Sequence, residues 1–112
     1  MCVDYRRLND VTRKDSFPLP RLDEKLDRLS GARVFSCLDL RMAYHQVLVH
    51  PDDQPKTAFC THDGLFEYIV VPFGACNAPA TFQRLMALVL KDLAGHICLA
   101  YLDDILVFSN DI

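Results

Sequence analysis

The sequence has neither paired cysteines nor a long apolar run. Its five cysteines are spread singly, without a C-x-x-C pair, and their number is odd. Such spacing argues against a disulfide framework and favours reduced thiols inside a cell. No apolar run approaches the roughly 20 residues that a membrane span needs, and no signal-peptide pattern is present. We therefore expect a soluble intracellular chain without a membrane partner.

Glycine is also scarce, and its placement excludes the common phosphate-binding loops. Only four glycines occur in the 112 residues, and none belongs to a G-x-x-x-x-G-K sequence. Regular alternation of strands and helices is missing too, which argues against a doubly wound nucleotide-binding fold. The four histidines are scattered, so no zinc site is indicated. No repeat or linker divides the chain, whose length suits one domain or a piece of one.

Charge is distributed unevenly along the chain. Residues 1–34 carry eight Lys/Arg and six Asp/Glu, whereas residues 35–112 carry four and nine. Nucleic-acid-binding proteins usually show a basic excess, so the formal net charge of -3 argues mildly against that class. A group of acids neutralised by a metal explains the imbalance equally well. Composition leaves both interpretations open.

Apolar periodicity and turn residues predict a mixture of helices and antiparallel strands, an α+β fold. The predicted elements are a short strand in 1–9, a helix in 18–31 ended by Gly31, a buried strand in 33–40, an alternating segment in 44–51, a hairpin in 57–73 turning at Asp63-Gly64, a helix in 77–95 with Asn77 as N-cap, and a hairpin in 97–109 around Asp103-Asp104. In the second helix, the apolar stripe of Phe82, Leu85, Met86, Val89 and Leu93 is expected to be core.

Three aspartates interrupt apolar segments and have two possible explanations. Asp103 and Asp104 suit a hairpin turn, yet adjacent carboxylates repel unless a cation compensates. Asp39 interrupts "VFSCLDL" and could pair with Arg41, two residues further on. If Asp39 instead meets the other two at neighbouring strand ends, three carboxylates would bind hard divalent cations. Two such ions serve in-line phosphoryl transfer.

Four segments, in order, resemble the motifs of reverse transcriptases, most closely those of Ty3/gypsy-type long-terminal-repeat retrotransposons. "YLDD" resembles the Y-x-D-D motif, and "FSCLDLRMAYHQV" resembles the first metal-binding motif. "VPFGACNAPATFQRLM" is similar to M-P-F-G-L-T-N-A-P-A-T-F-Q, and "CVDYRRLNDVTRKDSFPLP" to the segment that precedes the others. The resemblance implies a reverse-transcriptase-like palm, with an antiparallel sheet and packed helices, interleaved with partial fingers. Fingers are expected in about 1–13 and 47–77, and palm in about 14–46 and 78–112.

The resemblance also implies which residues form the site. Asp39, Asp103 and Asp104 match the catalytic, metal-binding acids, and Leu40 would add a backbone carbonyl. The implied cofactor is two Mg²⁺ ions, with Mn²⁺ as a possible substitute. The positions matching the nucleotide pocket are Met42, Ala43, Tyr44, Phe73 and Gly74. Those matching primer or template contacts are Tyr101, Leu102, Gln83, Arg6 and Arg7.

Several of these residues have a plain structural alternative. Tyr44, implied to select deoxynucleotides by blocking a 2′-hydroxyl, could be an ordinary half-buried aromatic. Gln83 could be an exposed helix residue. Arg6 and Arg7 suit phosphate contacts, but surface arginines need no function.

The implied partners are an RNA or DNA template with its primer, deoxynucleoside triphosphates, and the thumb and ribonuclease H parts of a parent polyprotein. Because those parts and an arginine that precedes "CVDYR" in relatives are not in these 112 residues, we expect weak primer-template binding by the chain alone. The parent element would act in cytoplasmic virus-like particles. Two alternatives remain: a non-catalytic retrotransposon remnant that binds metal, nucleic acid or protein, and an unrelated acidic-hairpin binding domain.

Overall fold

The structure, a computed structural model, describes residues 1–19 and 21–111. Two compact units make up the chain: unit 1 comprises Met1–Asp15 and Met42–Pro79, and unit 2 comprises Ser16–Arg41 and Ala80–Ile112. The elements in chain order are α1 (Arg6–Val11), α2 (Leu22–Asp27), β1 (Val34–Asp39), β2 (Phe59–Thr61), β3 (Gly64–Phe66), α3 (Ala78–Val89), β4 (Cys98–Tyr101) and β5 (Asp104–Ser109), with 3-10 helices at Ala43–Gln46 and Gln54–Thr57. In the described part of the chain, no helix has the length and apolar character needed to cross a membrane. Whether the units correspond to fingers and palm stays a prediction.

The first segment of unit 1 is helical, so the strand predicted in residues 1–9 is wrong. Tyr5 is buried, at 5% exposure, and its hydroxyl donates a hydrogen bond to the Thr57 carbonyl at 2.8 Å. The Tyr5 carbonyl accepts the first helical bond, from the Asn9 amide at 2.8 Å. A long-range anchor at Tyr5 therefore fixes the start of α1, which the local alternation of residue types does not reveal.

The rest of unit 1 contains less strand than predicted. Residues 44–51 form a 3-10 turn followed by an isolated antiparallel bridge, Leu48 with Val70. The hairpin in 57–73 is present, but Thr61 pairs with Gly64, so its two loop residues are His62 and Asp63. The turn therefore lies one residue earlier than predicted.

Unit 2 contains a three-stranded antiparallel sheet in the order β1-β5-β4. Strand β1 is an edge strand, and only its first residue is half-buried, while Phe35 to Asp39 are exposed. The strand predicted at 33–40 is therefore confirmed, but its predicted burial is wrong, because an apolar run does not report which elements cover it. Asp39 is solvated and needs no buried partner.

Helix α3 is shorter than the predicted 77–95, and within residues 78–86 it buries one face. Phe82 and Met86 are 1% and 7% exposed, and Gln83 lies beside them at 5%. Further along the expected apolar stripe, Val89 and Leu93 are 62% and 45% exposed, so the core prediction fails at this end. Asn77 precedes the helix as predicted, and its side chain holds the loop before α2: its Oδ1 accepts the Asp15 amide, and its Nδ2 donates to the Arg13 carbonyl.

Candidate functional site

Asp39 and Asp104 are brought together by the sheet of unit 2. They are directly opposite one another in the antiparallel β1–β5 ladder, and Tyr101 opposes Asp104 on the other side, in the β4–β5 ladder. Directly opposed residues project from the same face of an antiparallel sheet. The three side chains therefore form one row across the sheet, with Asp104 in the middle. The prediction that Asp39 meets the acidic hairpin at neighbouring strand ends is confirmed for this pair.

Asp103 lies in the turn rather than in the ladder. Because Tyr101 pairs with Asp104, the two loop residues are Leu102 and Asp103. Leu102 has φ 54°, in the left-handed region, where a side chain normally costs about 1 kcal/mol or more. The Asp103 carbonyl accepts a hydrogen bond from the Leu40 amide at 3.2 Å, which ties the turn to the residue after Asp39. Backbone bonding thus links both acid-bearing segments.

Gln83 holds the same turn from α3. Its Oε1 accepts a hydrogen bond from the Leu102 amide at 3.0 Å, and its exposure is only 5%. The alternative of an exposed helix residue is therefore wrong. The bond satisfies the amide of a residue held in an unfavourable backbone conformation, so Gln83 fixes the turn that carries Asp103.

Neighbouring cations do not neutralise the acids. Among the ion pairs of residues 1–19 and 21–111, within 4.0 Å, none includes Asp39, Asp103 or Asp104. The pairing of Asp39 with Arg41 is therefore not formed. Within the same residues, no group of three His, Cys, Asp or Glu side chains is placed to hold a metal ion. Asp39 and Asp104 supply two solvated carboxylates of the hard-oxygen type that Mg²⁺ prefers, so the pair fits such an ion in donor chemistry.

The residues predicted to line a nucleotide pocket lie in unit 1. Met42 has φ 50° and precedes the 3-10 helix that begins at the buried Ala43. Tyr44 is half-buried, and its ring centroid lies 5.3 Å from that of Phe73, which is itself 46% exposed. His45 also packs on Phe73, with centroids 4.9 Å apart. The structure brings Tyr44 and Phe73 into contact and leaves much of the Phe73 ring accessible.

Asn9 is a positioning residue that sequence reasoning missed. Its Nδ2 donates to the Gly74 carbonyl at 2.8 Å, and its Oδ1 accepts the Cys76 amide at 2.9 Å. Gly74 adopts φ +93°, which favours glycine. Asn9 therefore fixes the backbone that follows Phe73 from 65 residues away in sequence. An Asn within a polar segment gives no local signal of this role.

Arg6 and Arg7 differ in their surroundings. The Arg6 guanidinium makes a two-point contact with Asp4, Nε to Oδ1 at 3.0 Å and Nη2 to Oδ2 at 2.7 Å. Hydrogen bonding from Arg6 lowers the pKa of Asp4 to about 2. Arg7 is exposed, and none of the ion pairs among the described residues involves it.

Comparison with known proteins decides the family. The sequence profile described as "Reverse transcriptase (RNA-dependent DNA polymerase)" matches residues 1–112. The chain belongs to the reverse transcriptase family. The predicted resemblance is thereby confirmed over the whole chain.

Curated relatives place this reverse transcriptase segment among those of retrotransposons. It is 45% identical over 111 residues to the retrovirus-related Pol polyprotein from transposon opus of Drosophila melanogaster, covering 99% of this chain and 11% of that protein. The corresponding polyprotein from transposon gypsy, also of Drosophila melanogaster, is 38% identical over 99% of this chain and 11% of its own length. An RNA-directed DNA polymerase homolog of Oenothera berteroana is 48% identical over 97% of this chain and 77% of its own length. The chain thus spans about a tenth of the transposon polyproteins, and the predicted Ty3/gypsy type is confirmed.

A solved structure supports the fold. The foamy viral protease-reverse transcriptase in complex with RNA/DNA hybrid superimposes with a TM-score of 0.81 over 97% of this chain and 15% of that chain, at 24% identity. The predicted α+β fold of a reverse transcriptase is therefore confirmed.

Proposed function

We propose that these residues form the catalytic part of an RNA-directed DNA polymerase, which adds deoxynucleotides to a primer 3′-hydroxyl by two-metal phosphoryl transfer. The observation that carries the proposal is the Asp39–Asp104 pair, two solvated carboxylates opposed on one sheet face within the family's two acidic motifs. Opposed like charges destabilise a sheet, so a binding function explains their retention better than a structural one.

Asp39 and Asp104, with Asp103 and the Leu40 carbonyl, are the groups proposed to hold Mg²⁺ or Mn²⁺. When bound, such ions lower the pKa of an attacking hydroxyl and neutralise phosphate charge. The chain's own contribution is positioning. Gln83 holds the turn at Leu102, and the Lys25 ammonium donates to the Ala100 carbonyl in β4. Catalytic carboxylates need such supporting contacts, because small displacements reduce rate strongly.

Tyr44 is proposed to select the sugar of the incoming nucleotide. Its contacts with Phe73 restrain the ring, and a restrained ring can exclude a 2′-hydroxyl by steric conflict. Met42, Ala43 and Gly74 are proposed to present backbone to the triphosphate. Arg6, Arg7, Tyr101 and Leu102 are proposed to lie along primer or template. We do not propose a template contact for Gln83 Oε1, because this atom already accepts a hydrogen bond from the Leu102 amide.

The proposed partners are template with primer, deoxynucleoside triphosphates and the remaining parts of a parent polyprotein, acting in cytoplasmic virus-like particles. Nucleic-acid affinity depends on the number of phosphate contacts. The 112 residues alone are therefore proposed to bind primer-template weakly and to extend primers poorly.

Primer extension tests the proposal, in a version of the chain extended to full polymerase length. Asp103→Asn should reduce extension by roughly a hundredfold or more, since charge stabilisation at such sites is worth that much. Asp111→Asn, which removes an exposed acid of unit 2 outside the site, should retain activity. Equal activity of wild type and Asp103→Asn would exclude the assigned role.

A non-catalytic binding module is the second candidate function. It is favoured by the absence, within residues 1–19 and 21–111, of a three-donor metal group. Mn²⁺ titration of wild type and Asp39→Asn tests the unrelated acidic-hairpin alternative, which predicts independent acids and is excluded if Asp39→Asn loses Mn²⁺ binding. Continuation of the flanking reading frame into thumb and ribonuclease H coding sequence would favour the polymerase.

A further inference from the structure

A basic pocket in unit 2 is lined by none of the residues in the Asp39–Asp104–Tyr101 row. Its volume is about 280 Å³, and its walls include Arg21, Lys25 and Arg28 from the α2 segment, facing Gly95 and Leu99. Lys25 lies within α2, and Arg21 and Arg28 directly flank the helix at its two ends. The volume is several times the roughly 30 Å³ that a water molecule occupies in the liquid. A small polyatomic ion can therefore enter.

The charges in this pocket are poorly balanced. Three cations face a single lining carboxylate, Glu24. Arg21 approaches Glu24 and Asp23 only at 3.9 Å, and no ion pair among the described residues includes Lys25 or Arg28. Burial, and then repulsion from Arg28, lowers the pKa of Lys25. An anion between these side chains would relieve that repulsion.

The pocket also has fixed geometry. The Lys25 ammonium donates to the Ala100 carbonyl, which anchors one of its three donors and leaves the others for a ligand. The Arg28 guanidinium lies close against the Gly95 backbone, where a Cβ would meet its Nη1 atom. Gly95 itself is held by its amide bond to the Cys98 carbonyl, at 2.8 Å. An ammonium, anchored at Ala100, and a guanidinium thus line one cavity opposite the Gly95 backbone.

We infer that this pocket binds a phosphate group through Lys25 and Arg28. Phosphate oxygens accept charge-assisted hydrogen bonds from both side chains, and the guanidinium fork matches them geometrically. The group can come from a nucleic-acid strand or from free phosphate. The inference does not depend on polymerase chemistry, because neither side chain is proposed to touch the metal or the nucleotide, although Lys25 also supports β4 through Ala100.

Titration of the 112-residue chain with inorganic phosphate tests the inference, using amide ¹H–¹⁵N spectra at constant ionic strength with chloride as the balancing ion. The Gly95 and Leu99 amide signals should shift and saturate. Arg28→Gln should weaken binding roughly tenfold, through loss of a charge-assisted contact. The matched variant Arg33→Gln, which removes an exposed charge of the same unit that does not line the pocket, should change affinity by less than about twofold, since solvent screens exposed charges.

A second variant tests the cavity without changing charge. Ala94 lines the pocket and is exposed, so Ala94→Leu should fill the space and abolish saturation even if Arg28→Gln proves unstable. Competition with a short deoxythymidine oligonucleotide identifies the source: displacement of phosphate assigns the pocket to a strand, and its absence assigns it to the free ion. Unsaturable shifts in wild type, or unchanged affinity in Ala94→Leu, would overturn the inference.

Discussion

Asp39 and Asp104 are directly opposed across the β1–β5 ladder, without an ion-pair partner among the described residues. Like charges so placed destabilise a sheet by roughly 0.2–1 kcal/mol. In the presence of a chelator, Asp39→Asn should therefore raise the free energy of unfolding by about that amount. Urea denaturation measures it. Asp111→Asn is the control, and it should leave stability within about 0.5 kcal/mol.

The same variant should respond differently to metal. Mn²⁺ should stabilise the wild-type chain by mass action and should have little effect on Asp39→Asn. A lower metal-free stability of Asp39→Asn would contradict the view that this pair is retained for binding at a cost in stability.

The Gln83–Leu102 bond predicts a local effect on the turn that carries Asp103. Gln83→Ala leaves the Leu102 amide without its acceptor, and such a loss costs about 1–3 kcal/mol. Hydrogen exchange of the Leu102 amide should accelerate by roughly fivefold to a hundredfold, given that 1.4 kcal/mol corresponds to a factor of ten. Leu88→Ala, at a 69% exposed position of the same helix, should change neither quantity appreciably. Unchanged exchange in Gln83→Ala would exclude the positioning role.

Backbone strain at Leu102 can be isolated by two substitutions. With φ 54°, the residue should favour glycine, because the left-handed conformation costs a side-chain-bearing residue about 1–2 kcal/mol. Leu102→Ala keeps that strain, whereas Leu102→Gly removes it; both truncate the side chain. Thermal unfolding should find Leu102→Gly more stable than Leu102→Ala by up to about 1 kcal/mol, after the extra chain entropy of glycine. The opposite order would contradict the assigned conformation.

The elements of unit 2 were predictable from sequence because their signals are local. Residues 97–109 have two apolar runs around two acids, and residues 33–40 form one apolar run; β4, β5 and β1 occupy these segments. The sequence pattern does not predict whether β1 is buried, because the burial of an edge strand depends on which other elements cover it. Because β1 is exposed, Asp39 does not pay a cost of burial. The unfavourable energy that remains is the repulsion between the opposed charges of Asp39 and Asp104.

The interactions that position the site could not be predicted, because they join distant segments. Gln83 reaches a turn 19 residues further on, and Asn9 reaches Cys76 across 67 residues. Both are polar residues, and neither belongs to a motif or an apolar periodicity that would indicate its distant partner. Tyr5 is similar: its bond to Thr57 spans 52 residues and replaces a predicted strand with a helix.

Tyr44 and its contact with Phe73 predict sugar selection in the extended polymerase. Tyr44→Val should increase ribonucleotide incorporation relative to deoxynucleotide incorporation by at least roughly tenfold, since a lost steric conflict is worth more than about 1.4 kcal/mol. Single-nucleotide extension with each substrate measures this ratio. Phe66→Val, which removes a 47% exposed ring elsewhere in unit 1, should keep the wild-type ratio. Equal ratios in both variants would leave Tyr44 as a packing residue.

The Asp4–Arg6 contact predicts a shifted titration and a division of roles between the arginines. Hydrogen bonds from Arg6 lower the pKa of Asp4 from 3.8 to about 2. A lowered acid pKa means that the stabilisation is complete above pH 3.8 and is lost as the pH falls through about 2. Carboxyl NMR titration should give a midpoint near the lower value. Arg6→Gln should return it toward 3.8, and Arg7→Gln should leave it unchanged. If the Asp4 midpoint is the same in Arg6→Gln as in the wild type, the contact is contradicted.

The two arginines should also differ in their effect on primer-template binding. Because the Arg6 charge is already partly balanced by Asp4, the salt dependence of that binding should decrease more in Arg7→Gln than in Arg6→Gln.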